Sequence, residues 1–210
     1  MIADFLPGFL AAYAILLVAA SSPGPAVAML LGISANQGRR AALIASLGIA
    51  CGSVVINLAT MAGIGLMLEG AAWTLSVFRL VGAAYLLWLA WGAFRKAAHP
   101  PEIEAETALP RRPFHHLFLT GLGLQVTNPK AVLFWIAIAS LGATHGGGPA
   151  VIAVFVAGAF AISFGCHAAW ALLLSSRPFR AAYRAGRRWV EAGLGAFFVF
   201  ASVKLAVARS

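Results

Sequence analysis

The feature that most constrains this chain is the length of its charge-free stretches. No Asp, Glu, Lys or Arg occurs in residues 5–38, 41–68 or 131–176. A helix that crosses a bilayer needs about 20 apolar residues at about 1.5 Å each, and every one of these stretches is longer. Composition agrees with that reading. The chain is 61% hydrophobic and only 10% charged, with a mean hydropathy of +0.90, whereas an ordinary soluble domain is about 25% charged. So much apolar surface needs lipid as its solvent. The expected fold class is an all-α integral membrane protein.

Six spans are expected, at about 5–34, 41–68, 71–94, 114–141, 149–175 and 189–207. The run 131–176 would measure about 69 Å as one helix, so it must turn, and the THGGGP segment at Thr144 to Pro149 is where glycine and proline permit it. The first span begins at Phe5 with no basic residue before it. It also outruns the roughly 7–15 residues of a signal-peptide core, so it is expected to be retained.

Basic residues set the direction. Arg39 and Arg40 follow span one; Arg95, Lys96, Arg111 and Arg112 follow span three; Arg177, Arg180, Arg184, Arg187 and Arg188 follow span five. Eleven of the fifteen Lys and Arg thus share one side, which the positive-inside rule assigns to the cytoplasm. Glu69, the uncharged THGGGP turn and both termini fall on the outer side. The net charge of +9 is accounted for by these loops, and no nucleic-acid partner is expected.

The chain reads as a single transmembrane domain over residues 1–210. A first half of about 1–94 is joined by a polar cytoplasmic linker, about 95–116, to a second half of about 117–210. The linker holds Pro100–Pro101, three glutamates, and His99, His115 and His116, whose spacing matches no metal site. Three spans per half is an odd number, so related halves would form an inverted repeat.

The two halves are interrupted in mirrored places. Span one contains SSPGP at Ser21 to Pro25, and span four contains NPK at Asn128 to Lys130. Pro23 lies sixteen residues before Arg39 and Asn128 sixteen after Arg112, about 24 Å of helix in each case and so near the bilayer midplane. Ala26–Val27 and Ala131–Val132 repeat at an offset of 105. Proline removes a donor and clashes with the preceding turn, so helices one and four are expected to be broken. Non-helical backbone persists at that depth only against protein or a cavity. A restarting helix offers free N–H groups and the positive end of its dipole, which suits a carboxylate.

Lys130 sharpens the case, since a lysine at mid-bilayer costs about 2.5–3.5 kcal/mol on insertion scales. A structural alternative is that it ties down carbonyls freed by Pro129. Asn57, Gln125 and His167 are further polar groups within spans, read as accessory candidates whose ordinary role is interhelical bonding. Glu191 sits beside Arg187 and Arg188, which are simpler partners for it than Lys130. Gly48 and Gly52 form a GxxxG and read as close helix packing.

These motifs resemble those of the LysE/RhtB family of amino-acid exporters. SSPGPAVAMLLGISANQGRRAALIASLGIACG is similar to that family's opening, and GLGLQVTNPKAVLFW to its NPK-type segment in span four. The resemblance implies an exporter of amino acids or close derivatives in the bacterial inner membrane, driven by the proton-motive force, with no enzymatic activity and no cofactor. The positions it marks for substrate are Pro23, Gly24, Pro25, Asn128, Pro129 and Lys130. Many members carry an aspartate early in span two where this chain has Gly52–Ser53. Its absence favours a neutral substrate and leaves the proton carrier open. Expected partners are an amino-acid-like small molecule and membrane lipid, with homo-oligomerisation left open.

Two alternatives remain. A metal-cation exporter needs clustered Cys, His, Asp or Glu in its spans, and these offer only Cys51, Cys166 and His167, with His145 in a turn. A thiol-relay oxidoreductase needs two cysteines that meet in thiolate-favouring surroundings, and Cys51 and Cys166 lie in spans two and five with no basic neighbour.

The charge pattern gives a direct test. A cysteine placed in the 95–116 linker should react with a membrane-impermeant thiol reagent only after the cytoplasmic face is opened. Labelling in intact cells would reverse the orientation.

Overall fold

In hydrocarbon every backbone N–H and C=O must find its partner within the protein, and an apolar run achieves this most simply as a helix. The computed structural model describes residues 2–68, 72–99 and 111–207. Among these, all regular structure is helical. A short 3₁₀ turn, Ile2–Phe5, leads into α1 (Leu6–Ser21), followed by α2 (Pro25–Leu68), α3 (Ala72–Ala98), α4 (Phe114–Thr127), α5 (Pro129–Ala139), α6 (Pro149–Leu174) and α7 (Arg177–Val207). Both interruptions expected from proline are present, one between α1 and α2 and one between α4 and α5. At the second the axis bends by 60°.

α2 is a hairpin although its helical hydrogen bonding is nearly continuous. Gly38 has φ 81° and ψ 179°, a region open essentially only to glycine. A straight helix would separate Pro25 from Ser53 by about 42 Å, yet both line one small cavity. Likewise Ser34 donates to the Ala171 carbonyl at 3.2 Å and Ser46 to the His167 carbonyl at 3.1 Å, positions one turn apart on α6. The chain therefore reverses at Gly38, into arms 25–37 and 39–68. Arg39 and Arg40 begin the second arm.

By length and composition, three helical stretches among the described residues are apolar enough to cross a membrane: Ile2–Ser21, Pro25–Gly63, which Gly38 divides, and Pro149–Leu174. They become four when the bent α4–α5 pair is one span. The turn expected at residues 144–149 falls where the sequence placed it, with Gly142 and Gly146 at positive φ.

The arginine run 177–188, expected as a loop between spans, is instead the first part of α7. Phe179 and Tyr183 are four residues apart and share a helix face, and both meet the Trp170 ring edge-on at 6.3 and 5.3 Å. That contact folds the segment against α6. The linker is also shorter than expected, because residues 95–98 end α3 and 114–116 begin α4. Glu69, Pro100–Pro101, the three linker glutamates and Arg209 lie outside the described residues.

Packing places α2 against both α4 and α6, α1 against α6, and α3 against α7. The crossing of α2 with α4 is built on glycine. A Cβ at Gly48 would meet the Phe118 carbonyl oxygen at 2.0 Å, and one at Gly121 would meet the Ala45 carbonyl oxygen at 2.2 Å. Backbone cannot yield as a flexible side chain can, so the GxxxG reading holds and extends to Gly121 on the partner helix.

Gly121→Ala should therefore lower stability by about 1–3 kcal/mol, as overpacking does, seen as a lower unfolding temperature in detergent. Gly123→Ala, which faces open space, should be neutral or raise stability by about 0.4–1 kcal/mol.

Candidate functional site

The two breaks meet. α1 ends at Ser21, and the carbonyls that would have continued it are taken up one at a time. Ser22 N–H donates to Val18 O at 3.0 Å, Ser22 Oγ donates to Ala19 O at 2.8 Å, and the Trp170 indole donates to Ser21 O at 3.1 Å. The Ser22 carbonyl accepts from Lys130 Nζ at 3.2 Å, and Ser22 Oγ accepts from the same ammonium. The lysine of the second break thus holds the backbone of the first. Sequence reasoning had placed its structural role at Pro129, within its own break.

Each break restarts in the same way. Gly24 O accepts the first bond of α2 from Ala28 N at 2.9 Å, with Pro25 as first helical residue. Asn128 O accepts the corresponding bond of α5 from Val132 N at 3.0 Å, with Pro129 first. Proline suits that position because its N–H would be unpaired anyway. Asn128 Oδ1 also caps α5 by accepting from Lys130 N–H at 3.1 Å. Pro25 and Pro129, the first residues of the two restarting helices, are 104 apart, and the first break spans three residues while the second spans one.

Around this junction lies a cavity of about 40 Å³. Gly24, Pro25, Asn128 and Lys130, all singled out from sequence, line it, as do Gln125 and His167. Pro23, Pro129 and Asn57 do not. An added Cβ on Gly24 would come to 3.4 Å from Lys130 Nζ, so the ammonium rests against the Pro-Gly-Pro backbone. Ala26 and Val27, second and third residues of α2, have no intrahelical acceptor for their N–H groups.

Opposite the breaks is a polar cluster that sequence reasoning missed in part. Gln125 Nε2 donates to Ser53 Oγ at 2.8 Å, and Ser53 Oγ lies 3.0 Å from Ser163 Oγ. His167 Nδ1 is 2.7 Å from the Ser163 carbonyl. A carbonyl only accepts, so Nδ1 carries the proton. Ser22, Ser53 and Ser163 all line the cavity. Serine gives no distinctive signal in a sequence, because it is also an ordinary small packing residue. Ser53 was noted only for the acid it is not.

Among the described residues, no Asp or Glu lines the cavity. Glu191 is buried, 3.9 Å from Arg187 Nε, which fits its expected pairing with that arginine. Among the described residues no three of His, Cys, Asp and Glu gather as a metal site. Cys51 and Cys166 are unbridged, and Cys166 Sγ accepts from Ser21 Oγ at 3.5 Å.

Comparison with known proteins supplies the context. The family model for LysE type translocators matches residues 17–209. The threonine efflux protein of Escherichia coli strain K12 is 29% identical over 210 residues, covering 96% of this chain and 98% of that protein. The threonine efflux protein of Salmonella typhi is likewise 29% identical, over 92% of this chain and 94% of its own length. The leucine efflux protein of Enterobacter sp. strain 638 is 27% identical over 55% of this chain and 54% of that protein. No solved structure matches.

Because Asn128 caps α5, Asn128→Ala should cost about 0.5–2 kcal/mol. Asn128→Asp, which keeps the accepting oxygen, should not. Thermal unfolding of the two variants side by side would show the difference.

Proposed function

We propose, from the premise that the chain belongs to the LysE type translocator family, that it exports neutral amino acids or close derivatives from the bacterial cytoplasm. The inner membrane is its site and the proton-motive force its driver. The observation that carries this reading is the Lys130 ammonium held between two helix starts in a cavity that, among the described residues, no carboxylate lines. A substrate carboxylate would replace Ser22 as the partner of Lys130 and receive N–H groups from Ala26 and Val27. A second cationic group on the substrate would find no counter-charge there, which disfavours basic amino acids. The names of the threonine and leucine efflux relatives agree with a neutral substrate.

A cavity of about 40 Å³ is well below the roughly 300–1,000 Å³ of a ligand pocket. It therefore represents a closed form, and substrate enters as Lys130 leaves Ser22. The inverted repeat is part of the proposal. Six crossings follow if the arms 25–37 and 39–68 belong to spans one and two, α4–α5 is span four, and both termini lie outside.

Pairing of contacts supports that arrangement. Gly48 packs on Phe118, and Gly158 packs on Tyr13. Gly158 lies 110 residues after Gly48, and Phe118 lies 105 after Tyr13, spacings that agree with one contact being the counterpart of the other. Ser53 and Ser163, also 110 apart, bond to each other. The proposed halves thus interlock twice through equivalent positions.

Lys130→Met should leave insertion intact and abolish the preference for a free carboxylate, read as at least a tenfold loss of affinity for L-threonine relative to its amide in detergent. Lys130→Arg should recover little, since a guanidinium has a different shape and donor geometry. A mutant that kept the wild-type preference would make Lys130 purely structural.

A further inference from the structure

A second cavity, of about 390 Å³, lies toward the THGGGP turn. Leu58 and Met61 on α2, Ile138 on α5, Phe155 on α6 and the turn residues Thr144 and His145 line it. The same three helices wall the central cavity, through Ser53, Trp135 and Ser163. Ser53 and Met61 are eight residues apart, as are Ser163 and Phe155, and eight residues are about 12 Å of one helix face. Trp135 and Ile138 are also on one face, a turn apart. Three faces therefore run from the first cavity to the second.

Between the cavities these faces close. Ile56, Trp135, Ile138, Phe155 and Ala159 are all buried in one apolar cluster. Tyr13 holds Phe155 in place: its ring stacks on the Phe155 ring at 5.3 Å, and its hydroxyl donates to the Phe155 carbonyl at 2.9 Å. One residue on the route does not belong in an apolar seal. Asn57 lies one turn from Ser53 and one turn from Met61, on the same face of α2. It is 1% exposed, and among the described residues neither its Oδ1 nor its Nδ2 has a hydrogen-bond partner.

An unpaired buried amide is costly even in a soluble protein, and such groups call for an explanation. Packing does not provide one, because a leucine of similar size would fill the place without the penalty.

Resting on the reading of the protein as an exporter, we propose that the second cavity is a release site for the same zwitterionic amino acid, and that Asn57 is the polar step through the apolar gate separating it from the central cavity. The amide bonds to the substrate's ammonium or carboxylate during passage, when Trp135, Ile138 and Phe155 part. Between passages it has nothing to bond.

The test separates binding from turnover, with L-threonine as the probe. Asn57→Leu should bind threonine within about twofold of wild type and unfold at the same or a higher temperature. Its export from loaded proteoliposomes should be at least tenfold slower. Wild-type export by this variant would overturn the proposal and leave the exporter reading standing. Failure of the wild-type protein to bind or export any neutral amino acid would instead remove the exporter reading itself.

A second measurement does not depend on that variant. In a Cys51→Ala, Cys166→Ala background, Met61→Cys should react with a charged, membrane-impermeant thiol reagent from the side opposite the arginine clusters. Threonine undergoing export should change the rate. A thiol at 61 that never reacts from that side overturns the release site.

Discussion

The bond between Lys130 and the Ser22 backbone is the contact on which the centre of this molecule depends. Each proline break frees polar backbone that lipid cannot satisfy, and a lysine at the same depth is costly in its own right. Here one cost offsets the other. Hydrogen bonds to a charged group contribute about 1.5–3 kcal/mol each, the same order as the roughly 2.5–3.5 kcal/mol for placing the lysine there. A ligand with a carboxylate has only to compete with a carbonyl and a hydroxyl.

From that junction the remaining architecture follows. α1 cannot continue, so its carbonyls recruit Trp170 from α6 and Lys130 from α5. The glycines at 48 and 121 let α2 and α4 approach at backbone distance, which places Gln125 against Ser53. The polar cluster opposite Lys130 is thus a product of close packing as much as of its own chemistry. Serine is what fits between helices this close, and it still offers a hydroxyl.

The breaks, the turn at residues 144–149, the tight glycines and the central lysine were legible in the sequence, because proline, glycine and intramembrane charge act locally. What was not legible depended on distant segments meeting. Ser22 gained its role only because Lys130 arrives from 108 residues away. Ser53 and Ser163 carry no local signal and gain their role only by facing each other across 110 residues. The arginine run before Trp189 read as a loop because its charge dominated, while Phe179 and Tyr183, which fix it as helix against Trp170, are only two aromatic residues among the basic ones.

The Ser53–Ser163 bond has a further consequence. In the proposed repeat each serine is the counterpart of the other, so their bond sits on the axis that relates the halves. If the two faces of the membrane open by the halves exchanging roles, a pair on the axis is carried into itself and keeps its partner. Everything away from the axis, Lys130 and Asn57 included, must find different neighbours in the two forms. The serine pair would then be the pivot, the one place where the rocking halves stay joined by the same two atoms throughout the cycle.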